Sequence, residues 1–139
     1  MPRIERTAQV TWEGNVARGN GSMTAASGAF TGLPYSLPAR IGAVAGKTSP
    51  EELLAAAHAG CLTMGIATEL TQAGTPPERL EVSCRIVMDE VEGQGHQIVA
   101  SQVTVPAEVP ADLLERADAG CPFSIMLRNA GVEVTISRT

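Results

Sequence analysis

One stretch of this chain constrains its fold more than any other. Ser49-Pro50-Glu51-Glu52 supplies an N-cap, a proline at the first helical position and a glutamate placed to close a capping box. The two acids in the first turn also suit the helix dipole. The helical pattern then runs from Leu53 to about Ala73 and stops at Gly74, just before Pro76-Pro77. Twenty-odd residues make a helix of roughly 30–35 Å. That is long for a chain of 139 residues, so the helix is expected to be central, with the other elements arranged around it.

On either side of the helix the pattern is shorter and mostly extended. Thr7 to Glu13 alternates around Val10 and Trp12 and turns at Gly14-Asn15. Val16 to Phe30 has room for one or two short strands. Gly32 to Lys47, with Pro34, Pro38, Gly42 and Gly46, reads as a mobile connection into the helix. After the helix, Leu80, Val82, Cys84, Ile86 and Met88 share one strand face. Glu92-Gly93-Gln94-Gly95 is a hairpin connection with an acidic, solvated tip, and Ile98 to Val105 is the return strand. A short helix from Ala111 to Ala119 closes at Gly120. A second follows Cys121-Pro122 to about Asn129, and Val132 to Ile136 forms a last strand. That order is α+β, in one domain spanning residues 1–139.

Composition removes several classes of function. A net charge of −5 and four aromatic residues give no basic, stacking surface for nucleic acid. The core must come from Ala, Val, Leu, Ile and Met. No apolar run reaches about 18 residues, so no membrane span is expected. The first residues, with Arg3 and Arg6, lead into no apolar stretch, so no secretory signal is expected either. Cys61, Cys84 and Cys121 are an odd number of widely spaced cysteines, which argues against a disulfide framework. Idle thiols, a metal site, or one redox pair plus a spare all stay open.

Each cysteine has a plain structural reading beside its chemical one. Cys61 lies mid-helix in Ala55-Ala56-Ala57-His58-Ala59-Gly60-Cys61, where small residues let another backbone come close. Cys121 precedes Pro122, so it stands at the N-cap of the last helix, where the dipole lowers a thiol pKa. Cys84 reads as a core residue of its strand. His58 and Cys61 are three residues apart on one helical face and, with Cys121, could hold zinc. A buried, hydrogen-bonded histidine is the preferred reading, and no metal or cofactor is expected. Arg40 is a loop arginine able to reach a thiol or a carboxylate. Glu51 is explained by the helix dipole. It lies ten residues before Cys61, roughly 15 Å along a straight helix and off its face. If the two act together, one comes from a second subunit or the helix breaks.

The stretch Thr48-Ser49-Pro50-Glu51-Glu52-Leu53-Leu54 through His58-Ala59-Gly60-Cys61 resembles the signature of the OsmC/Ohr family, the osmotically inducible and organic-hydroperoxide-resistance proteins. Ala119-Gly120-Cys121-Pro122-Phe123-Ser124 resembles the family's second cysteine motif, at a fitting distance. The histidine-containing form of the first motif and the chain length are closer to the OsmC branch. The sequence departs from the family pattern at Ser49, Gly60 and Leu62, where asparagine, alanine and phenylalanine are usual. The resemblance implies an α+β fold of antiparallel sheets around a long central helix, in an intertwined homodimer with sites at the subunit interface. It implies a cytoplasmic cysteine-based peroxidase that reduces organic hydroperoxides and, more weakly, hydrogen peroxide. Cys61 matches the peroxidatic cysteine and Cys121 the resolving one. Arg40 matches the arginine that activates the thiolate, and Glu51 the glutamate that holds that arginine. Cys84 matches no functional position. The reductant would be a dithiol, of lipoyl type or another small dithiol.

The helix end favours Cys121 as the more acidic thiol, whereas the resemblance favours Cys61. Cys61 is the expected nucleophile, because an arginine can outweigh a partly exposed helix dipole. Two other readings also compete with the peroxidase: a binding module with inert thiols, and a redox sensor that is oxidised without being recycled.

Overall fold

The computed structural model describes residues 2–42 and 44–139. The chain forms two compact units, one up to Pro50 and one from Glu51 to Thr139.

In the first unit, β1 (Ala8–Glu13), β2 (Asn20–Ala25) and β3 (Leu33–Tyr35) form an antiparallel sheet in that order. The Trp12 and Tyr35 rings meet at 5.6 Å between centroids, tilted by 60°. They cross over Gly21, where an added Cβ would collide with both rings. The expected mobile connection is a correction: Gly32 to Lys47 contains β3 and a short helix, α1 (Leu37–Ile41). The prolines fit because each occupies a tolerated position. Pro34 lies in an edge strand, and Pro38 lies in the first turn of α1. Ser36 caps that helix, its Oγ accepting from the Ala39 N–H at 3.3 Å. Thr48 ties the segment down by donating its N–H to the Pro34 carbonyl at 2.9 Å.

The second unit is built on α2 (Pro50–Gln72), which starts at the expected proline. It ends before Gly74, whose φ of +82° lets Thr75 donate to the Leu70 carbonyl at 2.9 Å. The hairpin of β4 (Ser83–Val91) and β5 (Gly95–Val105) follows. β4 starts three residues later than the alternation from Leu80 suggests. It carries a bulge between Val87 and Met88 that breaks the strict alternation of faces. Then come α3 (Ala111–Ala119), α4 (Pro122–Asn129) and β6 (Glu133–Arg138). β6 pairs with β5 in parallel, so this sheet is mixed, not wholly antiparallel. The two helices supply the long crossover that a parallel pair requires. Leu62, Ile66 and Leu70 of α2 pack with Val103 and Val105 of β5 and with Leu113, Leu114 and Ala117 of α3. Leu62 and Ile66 are fully buried, a gain of about 1.5–3 kcal/mol each.

One premise about α2 is corrected here, the absence of an apolar stretch of 18 residues. α2 is long and apolar enough to cross a bilayer by length and composition, with a mean hydropathy of 1.3 over 18 residues. Alanine, leucine, isoleucine and methionine raise its mean hydropathy, while glycine, threonine and histidine interrupt the apolar run. Its Leu62–Ile66–Leu70 stripe is packed in the protein core.

Candidate active site

α2 and α4 bring the first and third cysteines together, although they are sixty residues apart in sequence. Cys61 is half-buried on α2 and packs against the core cluster that includes Cys121. Cys121, only 3% exposed, is the N-cap of α4, followed by Pro122 in the first turn. Cys121 lies close enough to Cys61 to oppose its ionisation, and the Phe123 backbone N–H, in the first turn of α4, favours it. All three cysteines are reduced.

The electrostatics of Cys61 follow from these contacts. Burial pushes its thiol above the ordinary 9.0, the hydrogen bond and charge of Cys121 push it further, and the Phe123 N–H pulls it back. The Cys121 side chain makes no capping bond. The Phe123 N–H, in the first turn of α4, is the one influence that favours the Cys61 thiolate, and the net shift on Cys61 is upward.

His58 is fully buried one helical turn from Cys61. Its Nδ1 lies 2.6 Å from the Ser101 Oγ on β5, and its Nε2 lies 2.8 Å from the Ser124 Oγ on α4. Both ring nitrogens are thus engaged by hydroxyls, as the structural reading of this histidine expects. Burial holds its pKa below 6.5, with Asp118 raising it and Arg128 lowering it in part. Asp118 itself accepts from Arg128 at 2.7 Å. Ser101 also stands 3.3 Å from the Cys84 Sγ. Cys84 is a half-buried strand residue whose thiol burial pushes up and Ser101 pulls down.

Glu51 occupies the first turn of α2. Because α2 is unbroken, Glu51 stays roughly 15 Å along the axis from Cys61 of the same chain. A broken helix is thereby removed from the alternatives. Arg40 stands in the last turn of α1 in the first unit. There it borders a cavity of about 390 Å³ whose walls include Trp12, Val16, Tyr35 and Leu37.

Sequence reasoning did not single out Ser101, Ser124 or the Phe123 N–H. The two serines did leave a signal. Ser101 interrupts the inward-facing series 101, 103, 105 of β5, and Ser124 sits three residues before Leu127 on the buried face of α4. A polar residue in an apolar stripe asks for a buried partner. The Phe123 contact left none, since it uses the backbone.

Comparison with known proteins follows the same lines. A family model described as OsmC-like protein matches residues 43–137. The chain is 34% identical over 140 residues to peroxiredoxin OsmC of Escherichia coli (strain K12), covering 96% of this chain and 94% of that one. In structure it is similar to an organic hydroperoxide resistance protein from Elizabethkingia anophelis, with a TM-score of 0.75 and 22% identity over 100% of this chain and 99% of that one. The organic hydroperoxide resistance protein OhrB of Bacillus subtilis gives 0.70 and 23%, over 96% and 98%. At these identities the two structures establish the likeness of fold.

Proposed function

Because the chain belongs to the OsmC-like protein family, we propose that it is a thiol-dependent peroxidase that reduces organic hydroperoxides through Cys61 and Cys121. The observation that carries this reading is the packing of Cys61 against the core cluster that holds Cys121, which brings together two thiols sixty residues apart. The name peroxiredoxin for the 34%-identical relative supports it.

The chemistry runs in three steps. The Cys61 thiolate attacks the terminal oxygen of the hydroperoxide. An S–O bond forms, the O–O bond breaks, and the alkoxide leaves and takes a proton. Cys61 is left as a sulfenic acid. The Cys121 sulfur then attacks the Cys61 sulfur. The S–S bond forms, the S–O bond breaks, and hydroxide departs with the thiol proton as water. A dithiol, of lipoyl type or another small dithiol, restores both thiols and is itself oxidised to a disulfide.

Since burial and the second thiol raise the Cys61 pKa, the first step calls for a cation. Arg40 is assigned that role, stabilising thiolate and departing alkoxide, with Glu51 holding the guanidinium. The apolar wall beside Arg40, built by Trp12, Tyr35 and Leu37, supports an organic substrate tail.

We assign the active form to a homodimer with shared sites. Glu51 cannot serve Cys61 of its own unbroken helix, which supports a partner subunit. So does the exposed stripe of Ala56, Gly60 and Met64 on α2, with open space around Gly60. The two compact units are read as parts of one OsmC-like domain, supported by a relative that matches 96% of the chain.

Steady-state hydroperoxide reduction with several dithiols tests the reading. Cys61→Ser is expected to abolish consumption. Cys121→Ser is expected to give a first turnover and then stall. The reverse pattern overturns the assignment. Loss of two thiols per wild-type chain, with Cys84 retained, separates the enzyme from a binding module with inert thiols.

A further inference from the structure

The resolving step needs the N-terminal end of α4 to stay beside α2 while Cys61 changes its oxidation state. The approach of Cys121 and of the Phe123 N–H to the Cys61 sulfur involves a reacting atom and cannot be constant through the cycle. The His58–Ser124 hydrogen bond of 2.8 Å contains no reacting atom. Its placement is specific. His58 precedes Cys61 by three residues on α2, and Ser124 follows Cys121 by three on α4. Residues three apart share a helical face. The hydrogen bond and the thiol pair are therefore two rungs of one ladder, a helical turn apart. The other imidazole nitrogen is held by Ser101 at 2.6 Å, which fixes the ring in orientation. The Asp118–Arg128 pair ties α4 to α3, not to α2.

We infer that His58 is a positioning residue: through Ser124 it holds the start of α4 against α2, keeping Cys121 within closing distance of the Cys61 sulfenic acid. The inference rests on the disulfide step proposed above. It adds a residue that touches neither substrate nor the reacting sulfurs. Ser101, bonded to the same ring, extends the support into β5.

The test uses the full chain with Ser124→Ala, His58→Leu and His58→Gln. The glutamine amide can reach Ser124 as Nε2 does, and the leucine cannot. A dithiothreitol redox buffer, with no hydroperoxide present, reads the tendency of Cys61 and Cys121 to close. Ser124→Ala and His58→Leu are expected to lower that equilibrium constant about tenfold or more, with His58→Gln restoring most of it. With tert-butyl hydroperoxide and dimedone, Ser124→Ala is expected to accumulate the Cys61 adduct, with Cys61 oxidation within about threefold of wild type. An unchanged closing equilibrium in Ser124→Ala overturns the inference, as does equal slowing of oxidation and closing. Where wild type consumes no hydroperoxide but the redox-buffer difference persists, the positioning role stands and the peroxidase reading falls. Ser124→Ala keeps the imidazole and its packing, so it reports even where His58→Leu does not fold.

Discussion

At the residue scale, a fully buried histidine stands one helical turn from a half-buried cysteine. The imidazole is neutral because burial outweighs the pull of Asp118. Its folded-state pKa lies below 6.5, so below that pH the unfolded chain binds a proton that the folded chain refuses. The stability held by this group is complete above 6.5 and is lost as pH falls from there towards the folded value. Urea midpoints followed downward from pH 6.5 are expected to fall more steeply for wild type than for His58→Gln. Parallel slopes would show that the ring is protonated in the folded protein. The same paired environment explains why motif reading alone could not rank the thiols. The Cys121 thiol that opposes ionisation of Cys61 and the Phe123 N–H that favours it both come from the start of α4, so their approach depends on how α4 meets α2.

At the scale of elements, local chemistry accounts for most boundaries. Ser36 and Pro38 start α1, Pro50 starts α2 and Pro122 starts α4, while Gly74 stops α2. The segment misread as a mobile connection shows where such reasoning fails. Prolines and glycines mark both loops and the tolerated edges of regular structure, and only pairing partners tell them apart. β3 exists because β2 offers it an edge, and the edge works because Gly21 lets the Tyr35 and Trp12 rings close over it. Gly21→Ala is expected to cost about 1–3 kcal/mol by overpacking. Urea unfolding followed by Trp12 fluorescence would check this, and a change within error would show that the rings give way freely. The parallel pairing of β6 was equally hidden. Val132, Val134 and Ile136 alternate in the same way whichever direction the neighbouring strand runs.

For the whole molecule, the governing proposal is that one site draws on two chains. Glu51 and Cys61 on one unbroken helix give it a direct test. Mixed after co-refolding, inactive Glu51→Gln and Cys61→Ser proteins are expected to recover about a quarter of wild-type activity, since half of the dimers are mixed and each holds one intact site. No recovery, or full activity from a monomer in light scattering, would end the shared-site reading. The fold class and the long helix were legible in sequence because caps, proline positions and hydrophobic period act over a few residues, and the two cysteine motifs were legible by their resemblance to a known family. The His58–Ser101–Ser124 bonds, the Phe123 N–H on Cys61 and the parallel β6 were decided only by tertiary structure. Each joins groups distant along the chain, and a hydrogen bond exists only where packing brings donor and acceptor within about 3 Å. The amino-acid sequence by itself determined which two cysteines the motifs single out. That Cys61 packs against the cluster holding Cys121 was decided only by tertiary structure, because it depends on how two helices distant in the chain meet.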